Sequence, residues 1–389
     1  MAASTGGILP GQPDKPRREQ MPATRRDGEQ PVQMSERQQQ FSGTGDIRPG
    51  QEIDVAKLHA WMAENVEGFA GPLTVEQFKG GQSNPTYKLL TPHQNYVMRR
   101  KPPGILLPSA HAVDREYKVI TALNGAGFPA PRTFGLCKDD AVIGTWFYIM
   151  DCVDGRVIWD TTFPSIPRDD RAAYFDAMNQ TIADLHMVDI EKAGLSDFGK
   201  PGNYFARQIA RWSRQYLEDA DAGRIAAMDR LVEWLPQNIP PGDETSVVHG
   251  DYRCDNMIFH PTEPKVLAVL DWELSTLGHP LADFSYHLMM YRMPPTTTTG
   301  LVGNDLKVLG IPTEDEYVAA YCRRTGRPEG IPDLDFYVAY NMFRLAGILH
   351  GIRGRVIRGT AASAHANASA EGVEVLADLA WTQAQKVGA

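Results

Sequence analysis

The stretch VVHGDYRCDNMIF, residues 247–259, brings His249, Asp251 and Asn256 close together and then runs straight into apolar residues. An Asp and an Asn five apart meet one small object, whether a metal, a phosphate or a tight turn, only if flanking structure orients both. The residues that follow supply that structure. MIFH (257–260), the Pro-containing turn PTEPK (261–265) and VLAVL (266–270) read as two strands of a hairpin that ends at Asp271. Folding it returns Asp271 to within roughly one cross-strand spacing of Asn256, and Asp251, just upstream, faces the same spot. Two oxygen-bearing side chains at a hairpin base suit a hard cation such as Mg2+, completed by phosphate oxygens and water. The carboxylate of Asp251 beside it can orient a hydroxyl and accept its proton. Alone, an Asp and an Asn at this spacing would be expected merely to cap a turn; the hairpin and Asp271 weigh against that. No second His or Cys stands at ligand spacing from His249, which reads as a structural residue holding the loop.

At 389 residues, 42% apolar and 22% charged, the chain has the composition of a globular protein with ample length for a buried core. A formal net charge of −9 argues against non-specific nucleic-acid binding. The four cysteines, Cys137, Cys152, Cys254 and Cys322, form no C-x-x-C pair and fit a reducing compartment. No apolar run approaches a membrane span and no signal-peptide core is visible, so a cytoplasmic protein without membrane partners is expected.

Residues 1–48 are rich in Gly, Pro, Gln and Arg and are expected to form a disordered tail. Asp54 then caps a helix with Val55, Leu58, Trp61 and Met62 on one face. Up to Met150 short strands alternate with turns, interrupted by one helix, VDREYKVITALNGAG (113–127), expected to close at Gly125. Beyond residue 160 apolar stripes at helical spacing dominate, among them Tyr174, Met178, Ile182 and Leu185, and Phe205, Ile209, Trp212 and Tyr216. Gly347 and Gly351 read as a close helix contact. The expected architecture is α+β and bilobal: an antiparallel β-rich N-lobe (49–150), a hinge (151–155) and a larger, mainly helical C-lobe (156–389).

The small lobe tests what the hairpin implies. KGGQSN (79–84) offers Gly80 and Gly81 for close backbone approach, with Ser83 and Asn84 as donors. In YVMR (96–99), Val97 and Arg99 share one strand face and place an apolar residue and a cation toward the cleft. Glu116 on the following helix is the natural partner of Arg99. Each feature alone is commonplace: a hairpin turn, a solvated Arg, a solvated Glu. Their order is that of a protein-kinase-like fold, with turn, cation, acid and hinge followed by Asp, Asn and Asp.

The chain from about 70 to 290 resembles the aminoglycoside phosphotransferase and choline kinase superfamily, through HGDYRCDN (249–256) and LDWELSTLGHPLADF (270–284). More narrowly, YVMRRKPPGILLPSAHAVDREY (96–117), STLGHPLADFSY (275–286) and FRLAGILHGIRGRVIRG (343–359) resemble the kinase-like module found fused to acyl-CoA dehydrogenase domains. The resemblance implies ATP and Mg2+ as cofactors, Asp251 as catalytic base, and Asn256 and Asp271 as metal ligands. It implies that Arg99 grips phosphates, Glu116 positions Arg99, and Met150, Asp151, Cys152 and Val153 form the hinge against adenine. Arg253, two residues past the base, is a candidate to stabilise the transferring phosphoryl group. Asp283 is expected to anchor the loop, and Glu273 to reach a metal or serve structure.

Only seven residues separate Asp271 from HPLAD (279–283), leaving no room for the activation segment of a protein kinase. A small-molecule hydroxylated acceptor is therefore expected, with a monomer or homodimer as the assembly. Arg207, Arg211, Arg214, Arg344, Arg353, Arg355 and Arg358 lean toward an anionic acceptor such as a hydroxyacyl-CoA. An antibiotic phosphotransferase, a catalytically silent kinase-like module and a metal-dependent hydrolase are the alternatives.

Overall fold

Side-chain alternation along one central strand organises the N-lobe. The computed structural model describes residues 42–80, 84–102, 111–295, 300–360 and 370–389. Six strands form an antiparallel sheet in the order β1-β2-β3-β4-β6-β5: β1 Thr44–Gly45, β2 Thr74–Phe78, β3 Thr86–Leu90, β4 Tyr96–Arg100, β5 Thr133–Cys137 and β6 Phe147–Asp151. In β4 and β6, Val97 lies opposite Met150 and Arg99 opposite Tyr148. These four residues share one face, and Tyr96, Met98, Phe147 and Ile149 share the other.

The two faces feed separate cores. On the outer face Tyr96, Met98, Phe147 and Ile149 pack with Leu58 and Met62 of helix α1 (Val55–Asn65). On the inner face Val97, Tyr148 and Met150 join Val119, Ile120 and Leu123 of helix α2 (Val113–Gly125), in a core continuous with that of the C-lobe. Asp54 caps α1 by accepting the Lys57 N–H at 3.1 Å. One boundary differs from expectation. Thr44 and Gly45, placed in the tail, pair with Phe78 and Gln77 because the edge of β2 has open backbone groups. α2 ends at Gly125 as expected, and the left-handed turn beyond it falls at Gly127, φ +83°.

After β6 the chain passes to the C-lobe through residues 152–155. Gly155 is needed there: a Cβ would come within 2.4 Å of the Phe259 carbonyl oxygen. The main helices are α3 (Arg171–His186), α4 (Tyr204–Glu218), α5 (Ala226–Trp234), α6 (Pro280–Leu288), α7 (Glu314–Arg324), α8 (Leu334–Ile357) and α9 (Val373–Gln385). Gly347 and Gly351 of α8 lie beside Trp212 and Gln215 of α4. Two small antiparallel pairs sit among the helices: β7 (Ser246–Val248) with β10 (Thr276–Gly278), and β8 (Met257–Phe259) with β9 (Val266–Val269). They frame the loops 249–256 and 270–275.

Candidate active site

The hairpin closes as its sequence predicts. Met257 pairs with Val269, and the Leu270 N–H donates to the Asn256 carbonyl at 2.8 Å, which sets Asp271 beside Asn256. Asp271 takes a left-handed conformation, φ +66°, where the strand turns into the short 3-10 segment Trp272–Leu274. Buried Trp272 wedges the turn, with its ring 4.6 Å from His249 and 5.7 Å from Phe128.

His249 ties the two loops together. Its Nε2–H donates to the Leu270 carbonyl at 2.8 Å, and its Nδ1 accepts the Asp251 N–H at 3.2 Å, so the ring is the neutral tautomer protonated on Nε2. Asp283, buried on α6, accepts the His249 N–H at 2.7 Å and the Gly250 N–H at 2.8 Å, with His186 Nε2 at 3.3 Å. Burial opposes the charge on Asp283, but His186 and the hydrogen bonds around it hold the carboxyl below its ordinary pKa. Gly250, φ +84°, lies so near Leu274 that a Cβ would come within 2.9 Å of the Leu274 carbonyl oxygen.

The two oxygens of Asp251 have different partners. Asn256 Nδ2 donates to Oδ2 at 3.0 Å and to the Asp251 carbonyl at 2.9 Å; the Tyr286 hydroxyl donates to Oδ1 at 2.5 Å. Burial and the Asp251 charge push the Tyr286 phenol above its ordinary pKa, which keeps it a donor. With its NH2 turned to Asp251, the Asn256 amide has its oxygen left to ligate. That oxygen and the carboxylate of Asp271, one-third exposed and paired with Arg99, are hard donors of the kind Mg2+ takes. Among the described residues, no group of three or more His, Cys, Asp or Glu side chains could hold a metal ion.

Arg99 reaches this site from the N-lobe. Its Nε lies 3.0 Å from Glu116 Oε2, and its Nη2 lies 2.5 Å from Asp271 Oδ1 and 3.5 Å from Glu273 Oε2. Burial would weaken the cation, but Glu116 and Asp271 more than offset it and hold Arg99 charged. Burial pushes the Glu116 carboxyl up to about 7 against the pull of Arg99. Arg99 thus carries one ion pair from its own lobe and two from the other.

The remaining candidates fall at varied distances from this centre. Val97 and Met150 lie side by side on the inner face, and Asp151 ends β6 with its carboxylate accepting Gln94 Nε2 at 2.9 Å. Cys152 and Val153 follow in the half-buried linker. Gly80 lies two residues past β2, while Gly81 and Ser83 lie outside the described residues. Asn84, expected as a phosphate donor, is instead buried, because its amide is engaged within the protein. It donates to Glu273 at 3.3 Å and its oxygen accepts from His111 Nδ1 at 2.9 Å, bridging the turn to the 270–275 loop. Arg253 forms a two-point pair with Asp255, its Nε lying 2.9 Å from Asp255 Oδ1. Of the seven arginines that leaned toward an anionic acceptor, Arg353 pairs with Glu374 and Arg358 with Asp219 and Asp221. Arg344 donates to the Gly250 carbonyl at 3.0 Å. Tyr286, Arg344 and the Asn84–His111–Glu273 link escape the motif; one signal for Tyr286 is its place three residues after Asp283, on the same helix face.

Residues 74–337 match the family model described as the phosphotransferase enzyme family. The chain is 44% identical over 320 residues to acyl-CoA dehydrogenase family member 10 of Mus musculus, covering 82% of this chain and 30% of that protein. It is 40% identical over 342 residues to acyl-CoA dehydrogenase family member 11 of Homo sapiens, covering 87% and 44%. It therefore spans less than half the length of these relatives. Among solved structures it is similar to a Ralstonia eutropha JMP134 protein provisionally named an aminoglycoside phosphotransferase, 52% identical, TM-score 0.79, with 86% of this chain and 99% of that one covered. The aminoglycoside phosphotransferase APH(4)-Ia, in complex with AMP-PNP and hygromycin B, is 14% identical with TM-score 0.55 over 84% and 98%, a likeness of fold.

Proposed function

Since the chain belongs to the phosphotransferase enzyme family, we propose that it is an ATP- and Mg2+-dependent small-molecule kinase acting on an alcohol. The observation that carries this is the meeting of Arg99, held by Glu116, with Asp271 beside the Asp251–Asn256 loop. Asp251 orients the acceptor hydroxyl and takes its proton as the acceptor oxygen bonds to the γ-phosphorus. The bond from that phosphorus to the β,γ-bridging oxygen breaks, and ADP leaves. Arg99 grips phosphate oxygens, and the hinge residues Met150, Asp151, Cys152 and Val153 border the adenine. Asn256 and Asp271 would hold Mg2+, which when bound neutralises phosphate charge. Arg253, kept near the base by Asp255, stabilises the transferring group.

The acceptor is a small anionic alcohol, a hydroxyacyl-CoA being the leading candidate. Arg344 beside the loop supports an anion, and no activation segment intervenes between Asp271 and α6. All four cysteines are free thiols, in keeping with a cytoplasmic protein. The test is mass-spectrometric: protein with MgATP and a panel of 4-hydroxyacyl-CoAs, choline, sugars and aminoglycosides. We expect one phosphorylated acyl-CoA, and loss of at least ~100-fold in rate with Asp251→Asn while MgATP still binds. A phosphorylated aminoglycoside would move the acceptor to the antibiotic class, and failure to bind MgATP would overturn the kinase assignment.

A further inference from the structure

We infer that Tyr286 and Arg344, which lie outside the H-G-D-x-x-x-x-N motif, are positioning residues that aim the Asp251 carboxylate at the acceptor; this rests on Asp251 being the base proposed above. A carboxylate offers about four lone-pair sites. Asn256 occupies one on Oδ2 and the Tyr286 hydroxyl one on Oδ1. The first contact comes from within the loop and does not fix the loop in space. The second comes from α6, the helix that also carries Asp283, so it references the base to the scaffold.

Tyr286 is the one residue of Pro280–Leu288 that is not fully buried: its ring packs against the core while its polar end stays at the core's edge. Its hydroxyl ends on the base, and its ring faces Arg344, whose guanidinium carbon is 5.4 Å from the ring centroid. Arg344 reaches over from α8 to donate to the Gly250 carbonyl at 3.0 Å. The Gly250 N–H is already held by Asp283. The peptide groups on both sides of the Gly250 Cα are therefore clamped by charged side chains from two different helices. Among the described residues Arg344 forms no ion pair, and its contacts to this site are the Tyr286 ring and the Gly250 carbonyl. Asp251 is thus held from the loop, from α6 and, through the Tyr286 ring and the Gly250 carbonyl, from α8. Small misalignments of a reacting group lower rates by about 100-fold, which gives this clamp a kinetic signature.

The test compares wild type, Tyr286→Phe, Arg344→Gln, Arg344→Lys and Asp251→Asn. Readouts are MgATP binding, steady-state ADP release with a 4-hydroxyacyl-CoA or water alone as acceptor, and amide exchange. Tyr286→Phe and Arg344→Gln should bind MgATP within about twofold of wild type and lose about 10–100-fold in kcat. Arg344→Lys, still a donor to Gly250, should recover part of that loss. Independently of turnover, Arg344→Gln should speed exchange at residues 250 and 251 by about tenfold and leave the 257–269 hairpin unchanged. Unchanged kcat, kcat and MgATP affinity falling together, or unchanged exchange at 250 and 251 would each overturn the inference. Failure of the kinase assignment reads out separately, as wild type that binds no MgATP or as Asp251→Asn retaining the wild-type rate.

Discussion

Asp283→Asn exchanges one oxygen for an NH2 group where the 249–256 loop is bolted to α6. The carboxylate accepts the His249 and Gly250 N–H groups at 2.7 and 2.8 Å, well away from solvent. Hydrogen bonds to a charged acceptor contribute about 1.5–3 kcal/mol each, so the pair contributes about 3–6 kcal/mol. Asn retains one acceptor oxygen, which keeps one bond at about 1 kcal/mol and turns an N–H toward the other donor. The loop has little freedom to escape, because Gly250 is pressed against the Leu274 carbonyl in a left-handed conformation. The expected loss is about 3–5 kcal/mol in unfolding free energy, measured by urea titration followed through tryptophan fluorescence. The exchange of the 249 and 250 amides should accelerate with it. A loss below about 1 kcal/mol, with those amides still protected, would refute the anchoring role.

Arg99→Met should destabilise by about 3 kcal/mol or more, since it leaves Glu116 buried without its cation; Arg99→Met with Glu116→Met should recover most of this, and additive losses in urea titration would argue against the pair. Burial lowers His287 from 6.5 to about 4, its Nε2 lying 2.6 Å from the Tyr317 hydroxyl. The unfolded chain therefore binds the extra proton first, and stability falls as pH drops from about 6.5 to about 4, by about 2 kcal/mol from this group between pH 7 and 5. His287→Asn should flatten that acid limb, though only in part because His279 is lowered similarly, and an unchanged slope would count against it. Arg253→Ala should reduce kcat by at least ~10-fold with little change in MgATP affinity, and equal losses in both would remove it from the chemistry.

Legibility in the sequence followed chain distance. The hairpin that sets Asp271 beside Asn256 closes over a five-residue turn, so apolar runs and a proline are enough to read it. Arg99 and Glu116 follow from the periods of a strand and a helix. Tyr286 meets Asp251 across 35 positions and Asn84 meets Glu273 across 189, and no local pattern encodes such meetings. Asn84 stands in a glycine-rich turn, where donors are expected to face a ligand, and its hydrogen bonds to His111 and Glu273 come from residues outside that turn. Counting arginines overstated the positive surface for the same reason, since the acids that pair with Arg353 and Arg358 lie on other elements. The stop of α2 at Gly125 was legible from the glycines that follow its apolar stripe, although the left-handed residue is Gly127 two positions on.

The sheet with two cores gives the molecule separable regions for change. The outer cluster under α1 shares no residue with the inner one that continues toward the catalytic loops. Substitutions that fill or rigidify the outer layer should add to stability almost independently of those near the cleft. A laboratory lineage seeking heat tolerance could therefore concentrate on Leu58, Met62, Tyr87, Leu89 and their neighbours. One seeking a changed nucleotide preference could work on the opposite side of the same strands, with little interference between the two programmes.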